Sequence, residues 1–207
     1  MKLGGLVGLL MLVQAGAGLF ALWYSHAEDA ESRARLGTIA ASLDAVRTAQ
    51  ASFGVQVQEW KNILLRDRVP ALSARHRIGF QTAADQVQTR LGRAALEDGL
   101  AAERAPAIRS AHAALLQRYG QALQTADFTT LEGQGAADAS IRGADRELQI
   151  RLDELADALA EAHRAEAMQA AAAADTRYGQ LRLILFVCAG LGLAATFFLL
   201  VLALRRP

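Results

Sequence analysis

Two long apolar runs lie at the ends of this chain, and a periodic pattern of apolar and polar positions fills the sequence between them. The first run extends from Leu3 to Tyr24 and the second from Leu183 to Leu204, and neither contains a charged residue. At about 1.5 Å of rise per residue, a helix over either run is long enough to cross a bilayer core about 30 Å thick. The pattern therefore predicts two transmembrane helices with one domain between them.

Basic residues near the ends indicate the orientation of these helices. Arg205 and Arg206 follow the second run directly, and basic residues mark the cytoplasmic side of a span. Since two spans leave both termini on one side, we expect cytoplasmic termini and, in a bacterium, a periplasmic domain anchored in the inner membrane. The predicted segments are residues 1–24 (first transmembrane helix), 25–181 (periplasmic domain), 182–204 (second transmembrane helix) and 205–207 (cytoplasmic stub).

A cleaved signal peptide is the alternative interpretation of the first run. The tripeptide Ser25-His26-Ala27 resembles a small-x-small cleavage site. The run is, however, longer than the roughly 7–15 apolar residues of a signal peptide, and Lys2 alone supplies charge before it. An uncleaved anchor is therefore the favoured prediction.

A stripe with alternating spacings of three and four residues continues from the first run into the domain. This spacing places its members on one face of a helix. The stripe predicts one long helix from the first span to about Arg66, with Gln50 as its polar interruption. Its members are Leu36, Ile39, Leu43, Val46, Gln50, Phe53, Val57, Trp60 and Leu64.

Three further helices are expected after this one. Asp67–Pro70 should form a turn, because a residue before proline is disfavoured in the helical region. Helices in the order long, short, short, long predict an all-α, antiparallel up-down-up-down four-helix bundle, with first and last helices continuing into the two transmembrane helices. The expected elements are a second helix from Leu72 to about Leu100, a break at Glu103–Pro106 with Pro106 in the first turn of the third helix, a loop at Asp127–Asp138, and a fourth helix with a stripe beginning at Ile141.

Composition excludes several classes of function. The chain has 22 basic and 21 acidic residues, whereas a nucleic-acid-binding protein normally shows a basic excess. The single cysteine, Cys188, allows neither an intrachain disulfide nor a cysteine-based metal site. We see no Ser/His/Asp arrangement, phosphate-binding glycine loop or HExxH motif. The sequence predicts a protein that is not an enzyme and carries no cofactor or metal.

Three motifs resemble one family. VQVQEWKNILLR, from Val55 to Arg66, is similar to a motif in the periplasmic four-helix-bundle sensor domains of bacterial methyl-accepting chemotaxis proteins. Ala137–Ala156 resembles the opening of the last helix of that family, with its (V/I)RG-x-DR core. A weaker match is His112, Leu115 and Tyr119 in the third helix. Together with the two apolar runs, the resemblance covers the whole chain.

The resemblance implies a function in sensing. A chemoreceptor-type module of this kind would bind a small ligand or a periplasmic partner, relay a conformational signal through its transmembrane helices, and form a homodimer. That family continues after the second span into a HAMP relay and an output domain, whereas this sequence reaches only Pro207. A non-sensory structural or assembly bundle, anchored in the inner membrane, is therefore the alternative.

A candidate ligand site follows from the heights of residues along the predicted helices. Trp60 and Asp145 are each about 35 residues from the membrane along neighbouring helices, and Lys61, Arg142 and Arg146 flank them. A carboxylate on an apolar stripe is costly unless it is paired. One interpretation is a structural latch between Asp145 and a basic residue, with Trp60 packed over it. The other is a pocket for a small anion, which arginine could bind with two hydrogen bonds.

Gln50 and His112 are the remaining polar positions in the stripes. Polar residues at such positions commonly fix helix register or oligomeric state. His112 has no histidine three or four residues away that could form a metal site with it. A hydrogen-bonded histidine in the core or at an interface is therefore favoured over a haem or metal ligand.

Overall fold

The computed structural model describes residues 3–66 and 69–204, apart from some side chains among residues 3–29 and that of residue 203. These residues form five α-helices and no strand, which confirms the all-α prediction. The predicted stub at 205–207, and Asp67 and Arg68 of the predicted turn, lie outside the described residues. The helices are α1 (Leu3–Arg66), α2 (Pro70–Glu97), α3 (Gly99–Thr125), α4 (Leu131–Ile141) and α5 (Ala144–Leu204).

Proline sets the start of α2. Val69 is extended (φ −112°, ψ 101°), as expected for a residue before proline, and Pro70 occupies the first turn of the helix. The helix therefore begins two residues before the predicted Leu72. It ends at Glu97, earlier than the predicted Leu100.

The predicted break at Glu103–Pro106 is wrong. Pro106 lies inside α3, and the break falls at Asp98, whose extended backbone separates α2 from α3. The Asp98 carboxylate accepts hydrogen bonds from the backbone N–H groups of Leu100 (2.9 Å) and Ala101 (3.3 Å). This cap satisfies donors that a helix start leaves unpaired. The position of the break is thus decided by the cap, and Pro106 is accommodated on an exposed face of the helix.

The predicted loop at Asp127–Asp138 is also wrong over most of its length, because α4 occupies it. Thr130 caps α4 by accepting a hydrogen bond from the Gly133 N–H at 3.1 Å. The backbone carbonyl of Asp127 lies against Gly133 and leaves no room there for a side chain. Glycine therefore permits a close approach here instead of marking a loop. Gly143 (φ +93°) makes the turn between α4 and α5, so the predicted stripe is divided after Ile141.

The chain divides into two compact units. Unit 1 comprises Met1–Arg35 and Ala165–Pro207, and unit 2 comprises Leu36–Arg164. Unit 2 is shorter than the predicted domain at residues 25–181. Segments of α1 and α5 belong to each unit, while α2, α3 and α4 lie wholly in unit 2.

Unit 2 is held by a core to which all five helices contribute. Hydrogen bonds show that α1 and α2 are antiparallel, since Ser42 contacts Ala94 (3.1 Å), Ser52 contacts Gln86 (3.1 Å) and Glu59 contacts His76 (2.6 Å). Residue numbers therefore rise along α1 as they fall along α2. Contacts between Gln88 and His112, and between Phe80 and Tyr119, show the same for α2 and α3. These contacts give an up-down-up order for α1, α2 and α3, which is consistent with the predicted four-helix bundle.

The buried face of α1 differs from the predicted stripe. Val46, Phe53, Trp60 and Leu64 are buried as expected, whereas Gln50 and Val57 are half-buried. The other buried residues of this helix are Ser42, Ala45, Ala49, Ser52, Gln56 and Ile63. The buried face thus overlaps the predicted stripe and extends to the side of the helix that carries Gln56.

Unit 1 is rich in exposed apolar side chains. In α5, a window of 18 residues is long and apolar enough to cross a membrane, and most of its large apolar side chains are exposed. In the first predicted span, Met11–Phe20 forms a shorter apolar stretch. These findings are consistent with a membrane protein. The two-span topology stays a prediction.

Candidate functional site

A buried polar layer joins three helices of unit 2. The His112 ring of α3 has no exposed surface, and its Nε2 lies 2.8 Å from Oε1 of Gln56 on α1. Its Nδ1 lies 2.7 Å from Nε2 of Gln88 on α2. Phe53 packs edge-on against the ring, with centroids 6.0 Å apart. One histidine thus connects α1, α2 and α3.

The hydrogen bonds define the tautomer of His112. Gln88 Nε2 donates to the Arg109 carbonyl at 3.1 Å, which fixes the orientation of the amide and makes Nδ1 of His112 an acceptor. The ring proton therefore lies on Nε2 and is donated to Gln56 Oε1. Burial lowers the pKa of His112 to about 4, so the ring is neutral at pH 7. This agrees with the sequence-based interpretation of His112 as a hydrogen-bonded core residue.

An aromatic cluster lies next to this layer. The Tyr119 ring packs on Trp60 (centroids 4.8 Å apart) and on Phe80 (5.0 Å), so the cluster also joins α1, α2 and α3. Burial raises the pKa of Tyr119 well above its usual range, and the carboxylates of Asp145 and Asp138 raise it further. The hydroxyl therefore stays protonated at any physiological pH.

Three buried polar atoms in these two layers have no hydrogen-bond partner among the described residues. They are Nε2 of Gln56, Nε1 of Trp60 and the hydroxyl oxygen of Tyr119. A buried polar group without a partner costs about 1–3 kcal/mol. These three groups thus differ from His112, both of whose ring nitrogens are hydrogen-bonded.

The predicted site residues lie at different depths in unit 2. Trp60 is buried, Asp145 is half-buried, and Lys61, Arg142 and Arg146 are exposed. Asp145 Oδ1 accepts from the Arg146 N–H at 2.8 Å, and the Arg142 guanidinium pairs with Asp138, also at 2.8 Å. That ion pair raises the pKa of Arg142. Within the described part of the chain, no ion pair joins Asp145 to a basic residue.

Gln56, and not the predicted Gln50, is the polar residue of α1 at the centre of the bundle, and it is fully buried. Gln50 is half-buried and donates to Asp153 of α5 at 2.7 Å, so it joins α1 to α5 near the surface. Neither Gln56 nor Gln88 was predicted from the sequence. The available signal was the seven-residue spacing of Ala49, Gln56 and Ile63.

A second polar contact joins α1 to α2. His76 Nδ1 lies 2.6 Å from the Glu59 carboxylate, and the other ring nitrogen is buried without a partner in the described structure. Among the described residues, no group of three or more His, Cys, Asp and Glu side chains could hold a metal ion. The polar contacts and the aromatic cluster join the helices of unit 2. In the predicted site, the exposed side chains of Arg142 and Arg146 are the groups that could bind an anion.

Comparison with known proteins gives one distant similarity. The chain is 29% identical to the methyl-accepting chemotaxis protein CtpH of Pseudomonas aeruginosa over 165 residues, which cover 77% of this chain and 28% of that protein. The chain thus spans less than a third of the length of this relative. No protein-family model matches the chain, and no solved structure matches it.

This similarity supports a distant relationship between the chain and the chemoreceptor family.

Proposed function

We propose that this chain is a membrane-anchored sensory module of the chemoreceptor type. Unit 2 would bind a small ligand or a partner protein in the periplasm, and unit 1 would carry the resulting change across the inner membrane. The module would act as a homodimer. The observation that carries this proposal is that α1 and α5 are unbroken helices, Leu3–Arg66 and Ala144–Leu204, each contributing to both units.

A continuous helix supports a relay for a physical reason. A helix is stiff along its axis because each backbone carbonyl is hydrogen-bonded four residues along the chain. If a ligand binds one arrangement of unit 2 more tightly than another, it shifts the population toward that arrangement. Because α1 and α5 continue from unit 2 into unit 1, they would transmit this change of arrangement to unit 1. The unpartnered polar atoms of Gln56, Trp60 and Tyr119 support a second arrangement of comparable energy.

A polar contact between the two apolar segments supports their pairing within unit 1. The Gln14 side chain donates from Nε2 to the backbone carbonyl of Cys188 at 2.8 Å. Its amide lies against Gly192, where an added Cβ would require the Gln14 side chain to move. Interhelical hydrogen bonds and small residues are the usual means by which helices associate in lipid.

Arg142 and Arg146, with Trp60, Lys61 and Asp145, stay part of the proposed ligand-binding region. The support for this region is that Arg142 and Arg146 are exposed basic residues beside the start of α5. The latch interpretation has less support, because Asp145 Oδ1 binds a backbone N–H of its own helix.

A hybrid receptor tests the relay without knowledge of the ligand. The chain is fused through its C-terminus to the HAMP and kinase-controlling domains of a chemoreceptor, and kinase output is measured in membranes. Gln56→Leu, which changes only the core of unit 2, should shift the basal output. Arg104→Gln, on an exposed face of α3, is the matched control and should not.

Unchanged output from a hybrid that is inserted, folded and able to control the kinase would contradict the relay. It would favour the structural or assembly role instead. A reporter fused after Pro207 checks the topology separately. We expect activity from a cytoplasmic reporter and none from one that works only in the periplasm.

A further inference from the structure

A groove between α3 and α5 in unit 2 has the features of a small-molecule site. One cavity of about 220 Å³ is lined by Leu115 and Arg118 of α3 and by Glu147, Leu148 and Arg151 of α5. A second cavity, of about 420 Å³, is also lined by Arg118 and reaches Ser140 of α4. Arg118 is thus the side chain shared by both cavities.

The rim of the first cavity has more positive than negative charge. Arg118 is exposed and has no hydrogen bond or ion pair with any described residue. Arg151 donates to Glu147 at 2.5 Å through one of its terminal nitrogens, which leaves further N–H groups of the guanidinium unused in that pair. Two guanidinium groups from different helices therefore line one cavity opposite a single carboxylate. A bound anion would reduce the repulsion between them and accept charge-assisted hydrogen bonds.

The floor and size of the cavity narrow the choice of anion. Leu115 and Leu148, each only 3% exposed, form an apolar floor. An inorganic oxyanion would leave this apolar surface without a matching contact. The volume of about 220 Å³ is below the roughly 300–1,000 Å³ of pockets for drug-sized ligands. The occupant should therefore be small and partly apolar.

We propose that the groove between α3 and α5 binds a small carboxylate with an apolar body. The carboxylate group binds Arg118 and Arg151, and the apolar body packs on Leu115 and Leu148. This site is distinct from the five residues predicted from the sequence. It rests on the proposed sensory function only for its biological use, since binding itself can be measured alone. Glu147 would favour ligands that also carry a donor group at the rim.

Calorimetric titration of the full chain in lipid nanodiscs tests the groove at pH 7.5, with empty nanodiscs as the baseline. The probes are benzoate, its neutral analogue benzamide, and inorganic phosphate. We expect benzoate to bind, and benzamide and phosphate to bind at least about tenfold more weakly, since each lacks one of the two contacts. Arg118→Gln should weaken benzoate binding about tenfold or more.

Two further variants separate the groove from general charge effects. Ala114→Leu fills the first cavity from its exposed wall without changing charge, and should remove benzoate binding. Arg104→Gln removes an exposed arginine of the same helix that lines neither cavity, and should bind benzoate as the wild type does. Circular dichroism of each variant verifies that the helices are intact.

Several results would overturn the proposal. They are an absence of benzoate binding to the wild type, equal binding of benzamide or phosphate, and an unchanged affinity in Arg118→Gln. None of these bears on the hybrid-receptor test, which needs no ligand. Conversely, the chain could bind benzoate in the groove while its hybrid receptor shows no relay. That result would support the binding site and contradict the sensory function.

Discussion

Unit 1 and unit 2 use opposite arrangements of polar and apolar side chains. In unit 2, large apolar residues such as Leu152 and Leu159 are fully buried. In unit 1, Leu191 and Phe197 are more than 60% exposed, and Gly192 is the one described residue that is buried. Beside that glycine lies the amide of Gln14. Unit 2 thus excludes water from an apolar core, whereas unit 1 places its polar contact inside and its apolar surface outside.

The comparison indicates that different forces hold the two units. Burial of apolar surface stabilises a helix bundle in water, at about 25 cal/mol per Å². In a bilayer this driving force is absent between helices, because lipid tails are as apolar as leucine. Close packing at glycine and interhelical hydrogen bonds remain. The exposed apolar side chains and the internal polar contact of unit 1 are consistent with a bilayer environment.

Removing buried side chains should produce the largest difference between the units. Leu152→Ala and Trp60→Ala should each lower the free energy of unfolding by about 2–5 kcal/mol, because both residues are at most 2% exposed. Leu191→Ala, at a position 64% exposed, should change it by less than about 0.5 kcal/mol. Denaturant unfolding of the full chain in detergent measures all three. A large effect of Leu191→Ala would mean that unit 1 also has a conventional core.

Acid should destabilise unit 2 through His112. Burial lowers its pKa to about 4 in the folded chain, whereas the unfolded value is about 6.5. Because the unfolded state binds the proton more tightly, stability is full above about pH 6.5 and falls as the pH is lowered toward 4. The loss should reach about 3 kcal/mol.

Thermal melts between pH 7 and pH 4 test this expectation, with His112→Gln as the control. The glutamine variant should be less stable at pH 7 but should lose less of its stability on acidification. An equal loss in both proteins would show that the acid sensitivity does not come from His112.

Tyr119→Phe should be neutral or should stabilise unit 2 by about 1 kcal/mol. The Tyr119 ring is fully buried, and its hydroxyl has no partner among the described residues. Phenylalanine keeps the packing on Trp60 and Phe80 while removing the unsatisfied group. A higher midpoint of thermal unfolding would agree, and a clear loss of stability would show that the hydroxyl is bonded after all.

Gln14→Leu should have the smallest effect, about 0.6 kcal/mol, as is typical of interhelical hydrogen bonds in membranes. Its readout is association of the two apolar segments, measured by disulfide trapping between cysteines introduced at Ala17 and Leu185, which line one cavity of unit 1. The leucine variant should cross-link more slowly, and Leu12→Ala, at an exposed position, should not. An unchanged cross-linking rate in Gln14→Leu would mean that the hydrogen bond does not contribute to the association of the two apolar segments.

Local sequence signals accounted for part of the fold. The continuous α1 to Arg66 and the extended backbone of Val69 before Pro70 followed from helical spacing and proline chemistry. The breaks at Asp98 and Thr130 were equally local, since both residues are N-caps. They were missed because Pro106 and the two glycines of α4 carried more weight than the caps. Among the buried polar and aromatic residues of unit 2, Trp60 and His112 were singled out from the sequence, whereas Gln56 and Gln88 were not, and neither was the exposed Arg118.

The sequence by itself determined that this chain is helical and that apolar runs lie at both of its ends, because composition and period are properties of each segment alone. It could not decide whether the side of α1 that carries Gln56 is buried. That choice depends on the neighbours, since Gln56 reaches His112 only when α1 and α3 are side by side. Burial of a glutamine is unfavourable for an isolated helix, and it becomes acceptable when another helix supplies a donor. The tertiary structure alone decided this, and with it the pairing of Arg118 and Arg151 across one groove.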